Sequence, residues 1–279
     1  MTPPNTTRPP YLATGFRDVD GTGDTSACTR CLDLLSDIPF FRDIKQESFR
    51  IVAATNPAIV LDAGCGAGSD LAMLAGLLPA TSRLTGIDAS ASLLLTAAKR
   101  TDEYRDRCSL VRGDLLNLPF GDRSFSACRI DRVLQHIHNP AQVVGELVRV
   151  LAPGGTLVAF DNDWDTLRIS LGDADAAALI TRSWSDSFAA GRVGKDLDGI
   201  FRDAGLADIL VEKKTLTLTD LLLAEKVFDI PALLGRMKDT GIFSDVKTAA
   251  IRNDLRHRAN EGTFVSGYTG YLVAGRKPE

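Results

Sequence analysis

The sequence predicts a doubly wound α/β sheet with an N-terminal helical arm and a C-terminal helical lid, and three observations carry that prediction. Short apolar runs alternate with helical stretches over short links between residues 58 and 161. Three glycines follow the first of those runs at once. An acidic residue, Asp62, Asp88 or Asp114, stands at or just past the end of each of the first three runs. Strand and helix in strict alternation require parallel pairing with helices on both faces of the sheet.

Taken in order, residues 29–55 carry apolar positions at helical spacing (Leu32, Leu35, Phe49, Val52) interrupted at Pro39, which predicts two helices ahead of the core. Residues 58–63 (AIVLDA) are a run of the kind buried on both faces. Ser69 and Asp70 cap a helix over 71–78. A second strand covers 83–88, a helix opens at Ser90 and reaches Arg100, and further strands cover 108–113 and 124–130. The helix at 140–151 begins with Pro140, favoured in a first turn, and stops before Pro153-Gly154-Gly155. A fifth strand covers 156–161. Beyond it, helices are expected over 173–190 and 195–204, and strands over 207–217 and 263–275 that pair antiparallel at the sheet edge. Two amphipathic helices, 219–237 and 244–260, lie between those strands. The division expected is an arm over 1–50, a core over 51–218 and 263–279, and a lid over 219–262.

Composition narrows the function. With 44% hydrophobic and 24% charged residues the chain reads as a soluble globular protein. A net charge of −4 lacks the basic footprint of a protein built to grip phosphate backbones, so no nucleic-acid partner is expected. Five scattered cysteines fit a reducing cytoplasm better than a disulfide scaffold. Residues 1–10, with four prolines, read as a disordered lead-in, and no apolar run is long enough for a bilayer, so no membrane partner is expected. A homodimer is left open.

The glycines at 64, 66 and 68 allow a sharp turn and the approach of a ligand to the main chain. They sit where open parallel sheets bind ligands, at the carboxyl ends of the strands. The spacing is not G-x-G-x-x-G, and no Gly-Lys-Ser/Thr follows, which counts against dinucleotides and excludes a triphosphate loop. Asp88 is placed to accept from both hydroxyls of a ribose, and Asp114 from an adenine amino group. Taken singly, each reads equally as a turn or capping aspartate.

These segments together resemble the ordered motifs of class I S-adenosylmethionine-dependent methyltransferases. The matching stretches are Asp62-x-Gly-Cys-Gly-x-Gly, Gly86-Ile-Asp88-Ala-Ser90, Gly113-Asp114 with Leu118-Pro119-Phe120, the 124–139 segment, and Leu147-x-Arg-Val-Leu-x-Pro-Gly-Gly155. The branch most similar is that of the ubiquinone/menaquinone-biosynthesis methyltransferases. The resemblance implies a Rossmann-like seven-stranded sheet and S-adenosyl-L-methionine as methyl donor. It implies that Asp62, Ala63, Gly64, Cys65 and Gly66 surround the methionine moiety, that Asp88 holds the ribose with Ala89 beside the adenine, and that Gly113, Asp114 and Leu115 border the adenine ring. Arg129, read as just past the fourth strand, contributes near the amino-acid end. Residues 161–167 and 191–195 resemble a bacterial subgroup, several of whose members serve secondary metabolism.

The acceptor implied is a small molecule, methylated on C, N or O. His136 is the first candidate base, against its reading as a packed histidine at a helix start. Tyr11, in the arm, is the second, with Asp163 and Asp18 behind them. No metal site is expected, since His136 and His138 have no carboxylate at ligand spacing. Cys28-Thr-Arg-Cys31 reads as a packed turn. Trp164 and Trp184 line an apolar pocket or fill core. Three other readings stay open: a methyltransferase acting on RNA or protein, a non-catalytic S-adenosylmethionine sensor, and a nicotinamide-dependent oxidoreductase.

Overall fold

A computed structural model describes residues 15–21 and 24–279. Seven strands form one sheet in the order β3-β2-β1-β4-β5-β7-β6. They are β1 (Ile59–Ala63), β2 (Arg83–Asp88), β3 (Cys108–Arg112), β4 (Phe125–Asp131), β5 (Leu151–Ile169), β6 (Ala207–Leu218) and β7 (Ser266–Arg276). The first five run parallel, and β7 lies antiparallel between β5 and β6. The chain therefore reverses its direction of sheet growth at β1 and β4, and the crevice above their carboxyl ends is open to a ligand.

Strand alternation divides the core. Leu61, Ala63, Cys128, Ile130, Leu157 and Ala159 face one side, where α5 (Pro140–Val150) and α7 (Val193–Asp203) cover them. Val60, Ala127, Val158 and Phe160 face the other, under α2 (Pro39–Ala54) and α3 (Ser69–Leu77). Ahead of α2 lies α1 (Thr25–Asp37), and α4 (Ala91–Arg100) joins β2 to β3. Pro39 opens α2 from its first turn, so the break predicted there is a change of helix.

The strands of the amino-terminal half lie within one or two residues of prediction. The largest difference is β5, which runs from Leu151 to Ile169 rather than over 156–161. Its extension is a tertiary effect. Residues 156–163 pair with β7, and after an irregularity Arg168 and Ile169 pair with Gly267 and Ser266. At the irregularity the Trp164 amide leaves the ladder and donates to the Gly191 carbonyl at 2.8 Å. That displacement frees the Trp164 side chain to turn from the sheet.

The segment between β6 and β7 forms three helices, α8 (Leu221–Val227), α9 (Ile230–Asp239) and α10 (Asp245–Asn260), where two were expected. Asp229 adopts a left-handed conformation (φ 46°) and Pro231 sits in the first turn of α9, so one long helix cannot pass through them. These helices pack with α6 (Ala174–Ser185) around Trp164, Trp184, Phe228 and Tyr268. Among the described residues no helix is long and apolar enough to cross a membrane.

Gly68 pins the glycine turn to the next layer. Its φ is +79°, and a Cβ there would lie 2.6 Å from Ala97 Cβ and 2.7 Å from Ala97 Cα. Gly68→Ala is expected to cost about 2–4 kcal/mol, from left-handed strain plus overpacking, measured by urea unfolding followed by circular dichroism.

Candidate active site

The turn after β1 is built on β2. The amides of Gly64 and Cys65 both donate to the Ile87 carbonyl, at 2.8 and 3.0 Å. Gly64 has φ +70°, and a Cβ on it would lie 2.4 Å from Val133 Cγ2. Cys65 packs over Gly86, where a Cβ would meet its Sγ at 2.8 Å. Burial pushes the Cys65 thiol far above its usual range, leaving it an inert packing group.

Asp88 closes β2 beside this turn. Its Oδ2 accepts from the Gly66 amide at 2.9 Å and its Oδ1 from the Ser90 amide at 2.9 Å. Each carboxylate oxygen keeps a further lone-pair direction. Burial raises the Asp88 pKa, against those amide hydrogen bonds. Gly113 follows β3 and donates to the Asp88 carbonyl at 3.1 Å, while Asp114 turns the chain by accepting from Leu116 N at 2.9 Å.

One cavity of about 300 Å³ opens over these strand ends. Gly64, Gly66, Asp88, Ala89, Gly113, Asp114 and Leu115 line one end, together with Val19 and Leu93. The other end is aromatic, formed by Trp164, Trp184, Phe188, Tyr268, Phe16 and His136. Trp164 is the hub. Its ring stacks on Phe188 at 5.2 Å and 22°, meets Trp184 edge-on at 5.5 Å, and lies 4.4 Å from Tyr268.

Asp62, Ala63, Cys65 and Arg129 stand behind the wall rather than in it. Arg129 lies within β4, two residues before its end, because the pairing with β1 continues through Ala63↔Ile130. Arg129 is 1% exposed, and its guanidinium binds Asp62 at 3.2 Å, Asp70 at 2.9 Å, Asp131 at 2.5 Å and Ser48 Oγ at 2.9 Å, with Phe49 beneath it. Lys45 also pairs with Asp70. Burial pulls the Asp70 carboxyl upward, but Arg129 and Lys45 overcome this and hold it at about 2. Asp62 has Arg129 alone, so burial prevails and raises it to about 6. The cluster ties the turn after β1, the start of α3 and the end of β4 into one unit.

His136 lies in a short 3-10 turn (Leu134–His136) just past β4. Its ring sits between Phe16 and Phe188, 5.6 Å from each. Burial, then Arg17 and Arg132, push its pKa down to about 3, so it is neutral throughout the physiological range. Asp163 is buried but does not line the cavity, and Asp18 is exposed and accepts from Gly21 N. Tyr11 lies outside the described residues. Of the CxxC pair, both on α1, Cys28 packs against Val19, Ala67 and Leu93, and Cys31 borders the cavity with its thiol pushed up to about 11 by burial.

Several lining residues had no individual role assigned from the sequence, although most lie in segments that it marked. Arg132, Gln135, Asn162, Phe16 and Phe188 reach the cavity through the β4–α5 link, β5 just before its irregularity, the arm and the α6–α7 link. The arm is held by Asp20. Its carboxylate accepts from Ser90 Oγ at 2.7 Å, Ser92 Oγ at 2.5 Å and Ala91 N at 2.8 Å, capping α4 from outside the helix. Those hydrogen bonds hold the Asp20 pKa far below the usual carboxylate range. Asp20→Ala is expected to loosen Phe16 and Val19 from the wall and weaken S-adenosylhomocysteine binding roughly 3- to 10-fold, as loss of an exposed cap would. Titration calorimetry reads this directly.

Comparison with known proteins agrees with the geometry. A family profile described as "Methyltransferase domain" matches residues 61–159, from within β1 to within β5. An uncharacterized 37.1 kDa protein of transposon Tn4556 from Streptomyces fradiae is 33% identical over 246 residues, 88% of this chain and 70% of that protein. A demethylmenaquinone methyltransferase of Lactiplantibacillus plantarum is 37% identical over 119 residues, 42% of this chain and 50% of the enzyme's length. Among solved structures, a Haemonchus contortus phosphoethanolamine N-methyltransferase 2 in complex with S-adenosyl-L-methionine shares the fold with a TM-score of 0.61 at 17% identity, covering 95% of this chain and 60% of that one. Turn, strand order and sequence similarity converge: residues 61–159 form a methyltransferase domain of the S-adenosylmethionine-dependent kind, similar to that of a demethylmenaquinone methyltransferase.

Proposed function

We propose that this enzyme transfers the methyl group of S-adenosylmethionine to a C, N or O atom of a small, planar, largely apolar molecule, in the cytoplasm and as part of secondary metabolism. The observation that supports this most is the single cavity joining a polar, glycine-walled end to an aromatic end. The polar end fits an adenosyl donor. Gly64 and Gly66 present main chain only, Asp88 offers a carboxylate for a ribose, and Leu93, Leu115 and Val19 supply apolar surface for a purine. Asp114 stands beside them for the adenine edge. When bound, the donor supplies an electrophilic methyl on a sulfonium.

The chain's own residues then have two tasks. The aromatic wall orients the acceptor, and holding two reactants in line provides most of the rate gain in such a transfer. The arm and the helices between β6 and β7 exclude water, which we read as the lid role. The cavity is walled by residues of many separate segments, from the arm to β7, a shape suited to a small molecule and not to a nucleic-acid strand or a protein loop.

The test uses donor carrying a labelled methyl group with a panel of phenols, quinols, aryl amines and electron-rich heterocycles. Label is expected in an organic-extractable product of at least one. Label found only in acid-insoluble RNA or protein would replace the small-molecule reading. Binding of S-adenosylhomocysteine with no label transferred anywhere would support a sensor.

A further inference from the structure

At the aromatic end, a chain of hydrogen bonds has its direction set by donor chemistry. The Trp164 indole N–H can only donate, and it donates to Gln135 Oε1 at 2.7 Å. That contact identifies the oxygen of the Gln135 amide. Asn162 Nδ2 donates to the same oxygen at 3.0 Å. Gln135 Nε2 is therefore the donor end, and it serves the Arg132 carbonyl at 3.2 Å and His136 Nε2 at 3.3 Å. A nitrogen that accepts carries a lone pair. The single proton of the neutral imidazole is then on Nδ1.

Nδ1 is buried and among the described residues has no hydrogen-bond partner, although His136 borders the cavity. Buried donors in native proteins are almost always satisfied, and one left open at a ligand cavity points to a ligand atom as its partner. The flanking rings of Phe16 and Phe188 offer no acceptor oxygen. We infer that His136 Nδ1–H donates a hydrogen bond to a carbonyl-type oxygen of the methyl acceptor, with Gln135 as the positioning residue that keeps the proton on that nitrogen. The inference rests on the small-molecule reading above and narrows it to oxygenated aromatic molecules. It also moves His136 from base to donor. Its Nε2 lone pair is engaged by Gln135, and the weak basicity of the ring suits hydrogen bonding rather than proton abstraction.

The experiment uses 9-fluorenone and fluorene, which share shape and differ by a carbonyl oxygen against a methylene. Their binding is measured by equilibrium dialysis on the full chain saturated with S-adenosylhomocysteine. The wild type is expected to bind fluorenone about tenfold more tightly than fluorene, the scale of one buried hydrogen bond. His136→Phe keeps a flat ring between Phe16 and Phe188, and it should bring the ratio close to unity while leaving fluorene affinity within about twofold. Gln135→Glu, whose carboxylate accepts only, should move the ring proton to Nε2 and lower the ratio likewise. Nitrogen-15 spectra of the imidazoles read that tautomer directly, with the His136 signals identified by their loss in His136→Phe. The wild type is expected to show the Nδ1–H form.

A wild-type ratio near unity, a ratio that survives in His136→Phe, or an Nε2–H tautomer in the wild type would each overturn the inference. So would a preference abolished by Tyr268→Phe and untouched by His136→Phe, since the unpartnered Tyr268 hydroxyl would then be the donor. If Gln135→Glu fails to fold, the wild-type spectrum and His136→Phe decide alone. Failure of S-adenosylhomocysteine to bind would sink the donor reading instead, and the tautomer remains measurable in the ligand-free protein.

Discussion

Asp88→Ala is expected to weaken S-adenosylhomocysteine binding by about 10²–10⁴-fold, from the loss of two hydrogen bonds to a charged carboxylate at roughly 1.5–3 kcal/mol each. The variant removes the group proposed for the ribose, and it also leaves the Gly66 and Ser90 amides without their acceptor. Asp88→Asn separates the two effects. Its side-chain oxygen can still serve one amide, so the turn should persist, while one hydroxyl contact is lost and affinity falls by an intermediate amount. Calorimetry with S-adenosylhomocysteine supplies the affinity, and thermal unfolding shows whether the fold survives. Affinity unchanged in the alanine variant would place the nucleoside elsewhere.

Arg129→Met should produce the largest loss of stability, about 3–5 kcal/mol, which is the usual cost of leaving buried charges without their partner. Three carboxylates, of Asp62, Asp70 and Asp131, lie within 3.2 Å of this guanidinium. Lys45 remains for Asp70 and Arg132 for Asp131, so Asp62 is the most exposed to the loss. Its carboxyl stands at about 6 even with Arg129 present. Without that charge it rises further above its unfolded value. A group whose folded pKa is raised contributes stability that is complete below the unfolded pKa and is lost as pH rises through the folded one. The deficit of Arg129→Met should therefore be smallest near pH 4 and widen to pH 8. Adding Asp62→Asn should recover part of it at pH 8. A deficit flat across that range in chemical unfolding would remove the buried carboxylates as its cause.

The alternation of strand and helix from β1 to β5 was readable because both periods are local, and because Gly64, Gly66, Pro39 and Pro140 act on their own stretch of backbone. Asp88, Asp114 and the glycine turn were readable for the same reason, since each follows its strand within a few residues. Gln135 was not. Its neighbour His136 stood out and it did not, because its role arises from Trp164, Asn162 and His136 meeting around its amide. Arg129 was placed near the site, yet its side chain points into a cluster with three acids from three elements. The length of β5 and the division of the segment after β6 into three helices were equally hidden, the first set by a strand about a hundred residues later and the second by one left-handed residue two places before a proline.

The sequence by itself determined the kind of fold, the location of the crevice at the strand ends and the acidic residues that border it, because these depend on turn chemistry and short-range periodicity. Only the tertiary structure decided which side chains wall the aromatic end of the cavity, which groups surround the two nitrogens of His136, and which carboxylates Arg129 balances. Those properties are set by burial and by hydrogen-bond direction between distant segments, and neither quantity exists until the chain has closed on itself.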